Sequence, residues 1–258
     1  MIEIYDANAY LRQDLNRTDG VASLSPRFVY EAVNASPRPQ VWVWDGPRNN
    51  ERRRALFPAY KIRDYTGQEN VFAGLQVYRD LLSLSKAVQV TVPDYEADDV
   101  CATLARHYAG KGVPVTVFTN DFDFHQLTTN NLIKLKGVRP HDNVRPQHIP
   151  VYKALRGDTS DKIPGMPGFG PKTWDSFRDL WDVLDTVLRE QDIEALRALP
   201  FKPALRAWLA SDENCGLLFI YYQITQMLDV PLDLIEKHTQ PGTPNPVAAQ
   251  QLFSRFML

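Results

Sequence analysis

Nine carboxylates in this sequence have types and spacings that could do metal chemistry. Three fall within four residues, Glu96-Ala97-Asp98-Asp99, directly after an apolar run and Pro93. Asp6, Asp45, Asp121 and Asp123 stand at or just beyond the ends of other short apolar runs, and Asp158 and Asp161 follow further along. Carboxylates and waters are the preferred ligands of hard divalent ions such as Mg²⁺ or Mn²⁺. Two such ions, roughly 3.5–4 Å apart, activate an attacking water and stabilise the leaving oxygen in phosphodiester cleavage. The plain alternative is capping. Acids suit the positive end of a helix dipole, each contributing roughly 0.3–1 kcal/mol. Capping suffices for Glu96 taken alone, but not for nine acids that repel one another without a cation between them.

A fold must bring these positions together, and the chain pattern says which one. Ile2 to Tyr5, Val41 to Trp44, Val88 to Val92 and Pro114 to Phe118 read as strands, with Leu132 to Leu135 a candidate fifth. Val41 to Trp44 is apolar at every position, as in a parallel sheet covered on both faces. Ser25 to Ala35 reads as a helix, with Ser25 as N-cap and Pro26 at the first helical position. Gln68 to Lys86 is amphipathic, with Val71, Leu75, Tyr78, Leu81 and Leu82 on one side. Val100, Leu104 and Tyr108 share one face of a helix that starts at the acidic stretch. The alternation predicts an α/β fold with a mostly parallel central sheet and helices on both faces. Ligands in such sheets bind beyond the carboxyl ends of the strands. Asp6, Asp45 and Asp121 fall at those ends, and Glu96 and Asp99 share a helix start at i and i+3.

From about Val144 the pattern becomes helical. We therefore expect an α/β core over 1–143, with an Arg-rich excursion over about 46–67, and a helical region over 144–258. Within the latter, Gly165-x-x-Gly168-x-Gly170 precedes Lys172 and a helix from Thr173. Its glycines let backbone N–H groups approach a phosphate. The stretch follows no strand, which argues against a dinucleotide fold, and it does not match the G-x-x-x-x-G-K-[ST] nucleotide loop. A hairpin between two helices remains, a grip on a nucleic-acid backbone with little sequence preference.

Composition narrows the class. With 258 residues, 44% of them hydrophobic and 23% charged, the chain can bury a core of its own. No apolar run approaches the roughly 18 residues of a membrane span, and no basic segment followed by an apolar one opens the chain. Cys101 and Cys215 are far apart and form no metal spacing, so reduced, buried thiols and a cytoplasmic setting are expected. His107, His125, His141, His148 and His238 show no ligand spacing either. Trp42 and Trp44 are expected in the core, and Tyr10 and Phe28 either in the core or stacked on a terminal base. The net charge of −2 becomes +7 if the nine acids are set aside. Arg52, Arg53, Arg54, Lys61, Arg63 and Lys172 belong to that basic remainder, which suits a phosphate polymer around an acidic metal pocket.

The order Asp6, Asp45, Glu96-Ala97-Asp98-Asp99, Asp121-x-Asp123, Gly157-Asp158-x-Ser160-Asp161-x-Ile163-Pro164-Gly165 and Gly168-x-Gly170-Pro171-Lys172-Thr173 resembles the 5′-nuclease superfamily. That group includes flap endonucleases, the 5′–3′ exonuclease domains of bacterial DNA polymerases and phage 5′ exonucleases. The match runs from about Met1 to Phe177 and is most similar to phage or stand-alone bacterial members. The resemblance implies hydrolysis of DNA from a 5′ end, nick or flap, in replication or repair, with 5′-phosphate products. It implies two or more Mg²⁺ ions, with Mn²⁺ able to substitute. Asp6, Asp45, Glu96, Asp98 and Asp99 would hold one ion, Asp158 and Asp161 another, with Asp121 and Asp123 between them. Gly165, Gly168, Gly170 and Lys172 match the helix–three-turn–helix element, over about 147–180, which binds duplex backbone and a monovalent cation, usually K⁺. Tyr60-Lys61 and Arg63 match the basic segment at the base of a helical arch, where Lys61 would approach the scissile phosphate. The family commonly spaces that arginine three residues after the lysine, whereas here the spacing is two. Arg52, Arg53 and Arg54, in the presumed arch, are expected on DNA. An arch this short favours exonucleolytic cleavage over threading of a long flap. The resemblance also allows an RNA primer as substrate, and the expected partner is DNA bound by a monomer in a bacterial or phage-infected cytoplasm. The alternatives are a ribonuclease of the related PIN-like class and a non-catalytic junction-binding protein.

Overall fold

The computed structural model describes residues 1–17, 25–139 and 143–256. His141 lies outside them. The elements run β1 (Ile2–Asp6), α1 (Ala7–Arg17), α2 (Pro26–Ala35), β2 (Gln40–Trp44), α3 (Glu51–Leu56), α4 (Glu69–Ser83), β3 (Val88–Thr91), α5 (Ala97–Gly110), β4 (Val115–Phe118) and β5 (Ile133–Lys136). Then come α6 (Ile149–Arg156), α7 (Pro171–Ser176), α8 (Trp181–Glu190), α9 (Ile193–Ala198), α10 (Pro203–Leu209), α11 (Asp212–Ile224), α12 (Leu232–Lys237), β6 (Thr239–Pro241) and α13 (Pro246–Phe256).

The chain divides into two compact units. One comprises Met1–Asn49, Asp64–Arg139 and Leu228–Leu258, and the other Asn50–Arg63 and Pro140–Met227. Apart from a boundary four residues earlier, this differs from a division at 143/144 in two segments. The end of the chain returns to the first unit because β6 pairs with β3, Val90 facing Thr239. The Arg-rich segment 50–63 joins the second because its α3 lies against α11, with the Phe57 and Tyr221 rings 5.3 Å apart.

The first unit is built on a sheet of order β5-β4-β1-β2-β3-β6. Strands β1 to β5 are parallel, and β6 is antiparallel at the edge. One face carries an aromatic row in which Tyr5 stacks on Trp42 at 4.1 Å and on Phe118 at 4.3 Å. Leu11, Leu15, Val29, Val33, Val71, Leu75 and Tyr78 of α1, α2 and α4 close over it. On the other face α5 packs on β1, β2, β4 and β5, burying Val100, Cys101 and Leu104. Trp42 and Trp44 are thus core residues. Tyr10 packs against the same core, whereas Phe28 is 61% exposed and takes no part in it.

Gly46 fixes how closely the strand ends meet. A Cβ there would lie 1.9 Å from the Val92 carbonyl oxygen, so only glycine lets the chain after β2 touch the chain after β3. That approach carries Asp45 to the start of α5.

Candidate functional site

At the carboxyl ends of β1, β2 and β4 the first unit gathers acids. Asp6 closes β1 and is 2% exposed. It accepts hydrogen bonds from the Ala9 N–H at 3.2 Å and the Thr119 hydroxyl at 3.0 Å. Burial pushes its carboxyl up to about 7, and the carboxylates of Asp45 and Asp121 add to the rise against those two donors. Asp121 begins the turn after β4, where it accepts the Asp123 N–H at 2.8 Å.

Asp45 accepts the Asn8 side-chain amide at 2.8 Å on one oxygen and the Ala97 N–H at 3.0 Å on the other. Ala97 is the first residue of α5, so the helix is capped across the sheet by Asp45. Glu96 holds the N-cap position, yet its side chain makes no capping hydrogen bond. Glu96 is therefore not a hydrogen-bonding cap, although it sits buried at the positive end of the helix. Asp98 and Asp99 follow on the first turn, Asp98 half-buried and Asp99 fully buried. Asp99 accepts the Leu228 N–H at 2.8 Å and so anchors the returning chain. Cys101 reports the combined field of this group. Burial, then Asp6, Asp98, Asp45 and Asp99, hold its thiol well above the usual range.

Among the described residues no three Asp, Glu, His or Cys side chains stand close enough to hold an ion as they are placed. The charge of the set nevertheless fits a cation. Asp6, Asp45 and Asp121 accept only from neutral donors and form no ion pair among the described residues. A buried carboxylate whose charged neighbours are carboxylates is stabilised either by a proton or by a metal.

The second unit handles its acids differently. After α6, Gly157 leads into a tight hairpin in which Asp158 and Ile163 exchange two backbone hydrogen bonds of 2.8 Å. Gly165, at φ +68°, crosses Gly157 so closely that a Cβ would sit 2.3 Å from the Gly157 nitrogen. Lys153, only 7% exposed, places its ammonium 2.7 Å from Asp158 and 3.3 Å from Asp161. The other oxygen of Asp161 faces Lys61 at 3.7 Å and Arg63 at 3.9 Å. Burial raises the Asp158 carboxyl, but Lys153 and the Ser160 hydroxyl and N–H more than offset it and hold it at about 2. This pair thus already carries a cation of its own on one oxygen of each carboxylate. Lys153 was not anticipated. Its one trace in the sequence is its place as the single charged residue in the otherwise apolar run from Ile149 to Leu155.

The Arg-rich run separates into three roles. Arg52 is exposed, as a phosphate contact requires. Arg53 is not on a DNA-facing surface. It is 6% exposed and donates to the Ile224 carbonyl at 2.9 Å and the Gln226 carbonyl at 2.8 Å, the unsatisfied end of α11. Arg54 donates to the Tyr60 and Lys61 carbonyls. Arg53→Ala should therefore cost about 2–3 kcal/mol of stability in urea titrations. The expectation that Arg52 contacts DNA predicts that Arg52→Ala lowers the salt slope of binding by about 1, and that Arg53→Ala leaves it unchanged.

Lys172 is exposed on α7, and Gly170 precedes that helix as its N-cap residue. A Cβ at Gly168 or Gly170 would meet nothing within 4 Å, whereas Gly165 has no room. Gly165→Ala should thus cost more than about 3 kcal/mol. Gly168→Ala, strained only by its φ of +79°, should cost about 1–2 kcal/mol. Equal melting temperatures for the two variants would contradict this geometry.

Residues 12–148 match the family model described as the 5′-3′ exonuclease, N-terminal resolvase-like domain. The chain belongs to this family. It is 33% identical to a 5′-3′ exonuclease of Aquifex aeolicus over 148 residues, 53% of this chain and 51% of that protein. It is 30% identical over 230 residues to DNA polymerase I of Deinococcus radiodurans, 85% of this chain and 23% of that protein. The chain thus spans about half the length of the first relative and about a quarter of the second. In fold it is similar to the bacteriophage T5 5′-exonuclease solved with zinc, at a TM-score of 0.69 and 20% identity, covering 99% and 96% of the two chains. A T5 flap endonuclease variant solved with DNA and metal ions has the same fold, at a TM-score of 0.68, 19% identity and 100% and 99% coverage.

Proposed function

We propose that this 5′-3′ exonuclease family member is a divalent-metal-dependent 5′-nuclease. It would hydrolyse DNA phosphodiesters from a duplex 5′ end, nick or flap and leave 5′-phosphate products. The observation that carries the reading is Asp6, a buried acid whose charged neighbours, Asp45 and Asp121, are also acids. Mg²⁺, or Mn²⁺ in its place, would supply activation of water and neutralisation of the phosphate. Asp6, Asp45, Glu96, Asp98, Asp99, Asp121 and Asp123 are the residues that would hold it. Asp158 and Asp161 are assigned to a second ion.

The chain's own residues supply the rest. Lys61 would stabilise charge on the reacting phosphate, with Arg63 beside it at Asp161. Arg52, Lys172 and the backbone around Gly165, Gly168 and Gly170 would hold duplex phosphates, with a monovalent cation such as K⁺ at that turn. The solved T5 complex with DNA and metal ions supports the choice of ligand class. Two buried free cysteines, Cys101 and Cys215, are in keeping with a reducing cytoplasm.

The test uses 5′- and 3′-labelled blunt, nicked and flapped DNAs, and matched RNAs, with and without Mg²⁺. Mg²⁺-dependent release of 5′-terminal nucleotides from DNA is expected. Preferential cleavage of RNA would favour a ribonuclease, and binding without cleavage a junction-binding protein. Efficient cutting of long flaps with little release from blunt duplex would overturn the exonuclease emphasis.

A further inference from the structure

The geometry points to Arg54 as the residue that positions Lys61. Three observations meet there. Lys61 adopts a left-handed backbone conformation, φ +46°, which a side-chain-bearing residue keeps only when its surroundings enforce it. The Arg54 guanidinium donates from Nε to the Tyr60 carbonyl at 2.9 Å and from Nη2 to the Lys61 carbonyl at 2.8 Å. Both carbonyls of the turn are thus held by one rigid planar group. On the other side of the turn, the Lys61 N–H donates to the Asp161 carbonyl at 3.1 Å.

The staple has a base. Arg54 lies on α3, which is tied down by Arg53 at the end of α11 and by Phe57 against Tyr221. Tyr60 is 2% exposed, so the residue before Lys61 cannot drift. The result is a lysine of fixed backbone whose ammonium stands 3.7 Å from Asp161 and over the Tyr60 ring at 5.3 Å. Arg54 makes no ion pair among the described residues, and its side-chain hydrogen bonds go to those two main-chain carbonyls. Its charge therefore serves to orient Lys61 rather than to bind phosphate. A lysine in its place offers a single point of donation and cannot span two carbonyls in one plane.

This inference rests on the reading that Lys61 acts on the reacting phosphate. It is tested by a double-mutant cycle on Arg54→Ala, Lys61→Ala and the pair, in steady-state cleavage of a 5′-labelled duplex with Mg²⁺. Arg54→Ala should lower kcat by about 100-fold, the order expected from a displaced catalytic group, with KM within about twofold. Arg54→Lys should recover part of that loss. In the Lys61→Ala background, Arg54→Ala should add no further loss. Losses that multiply, a kcat equal to that of the starting protein, or a fall confined to binding would overturn the role of Arg54. If Lys61→Ala itself cleaves at full rate, the assignment of Lys61 fails instead. Should Arg54→Ala not fold, Arg54→Gln, which keeps one donor, takes its place in the same cycle with the same two outcomes.

Discussion

Lys153→Met should lower the melting temperature of the metal-free protein by roughly 6–20 °C. The lysine is buried between Asp158 and Asp161, and removing it leaves two carboxylates without their nearest cation. Breaking a buried pair from one side costs about 3–5 kcal/mol, and each kcal/mol shifts a domain of this size by about 2–4 °C. Lys61 and Arg63 are weaker substitutes, because they stand 3.7 and 3.9 Å from the Asp161 carboxylate, farther than Lys153. Two companion experiments separate lost charge from lost packing. The triple variant that also carries Asp158→Asn and Asp161→Asn should regain most of the stability. Mg²⁺ should raise the melting temperature of Lys153→Met by several degrees more than that of the starting protein. A methionine variant that melts normally, or one that neither change rescues, would show that the ammonium does not compensate this pair.

The second large effect is a pH dependence that reverses the usual one for acids. Asp6 titrates at about 7 in the folded protein against 3.8 for a free aspartate, chiefly because it is buried and also because Asp45 and Asp121 face it. The folded state therefore holds a proton that the unfolded state releases. Its stabilisation is fully present below about 4 and is lost as pH rises through about 7. In EDTA, stability should fall across that window by an amount on the order of a few kcal/mol. Asp6→Asn should flatten the profile, since its amide does not ionise. Divalent metal should act in the opposite sense. It competes with the proton, so the stabilisation by Mg²⁺ should grow from pH 5 to pH 8 in the starting protein and be much reduced in Asp6→Asn. A profile equally steep in the variant would place the titrating group elsewhere. For cleavage, Asp98→Asn should cost on the order of 1,000-fold in rate, several kcal/mol of metal stabilisation, with duplex binding retained.

The parts of the molecule that were legible in the sequence share a physical cause. Strands β1 to β4 are short segments rich in β-branched and aromatic residues, fully so in Val41 to Trp44, and helical segments alternate with them. The acids at their ends were legible because the period of a parallel sheet puts every such end on one edge. What escaped depends on distant partners. Arg53 reads like its neighbours Arg52 and Arg54, and only a helix end more than 170 residues later makes it a core residue. Lys153 reads as one more basic residue until the hairpin at Asp158 folds back on it. Strand β6 is three residues long and includes Pro241, too short for a pattern and suited only to a sheet edge. The hydrogen bond that caps α5 was not legible, because it comes from Asp45, brought there by the close passage at Gly46.

The hydrogen bond from Leu228 to Asp99 gives the order of synthesis a meaning. Asp99 emerges early, yet the backbone that braces it comes more than a hundred residues later, and β6 joins the sheet later still. A nascent chain would display its acids to solvent and metal well before that brace exists. The family match, which ends at residue 148, likewise stops before it. The sheet edge and one proposed metal ligand are thus secured by segments that follow the acids by more than a hundred residues, as a drawstring closes a bag already filled.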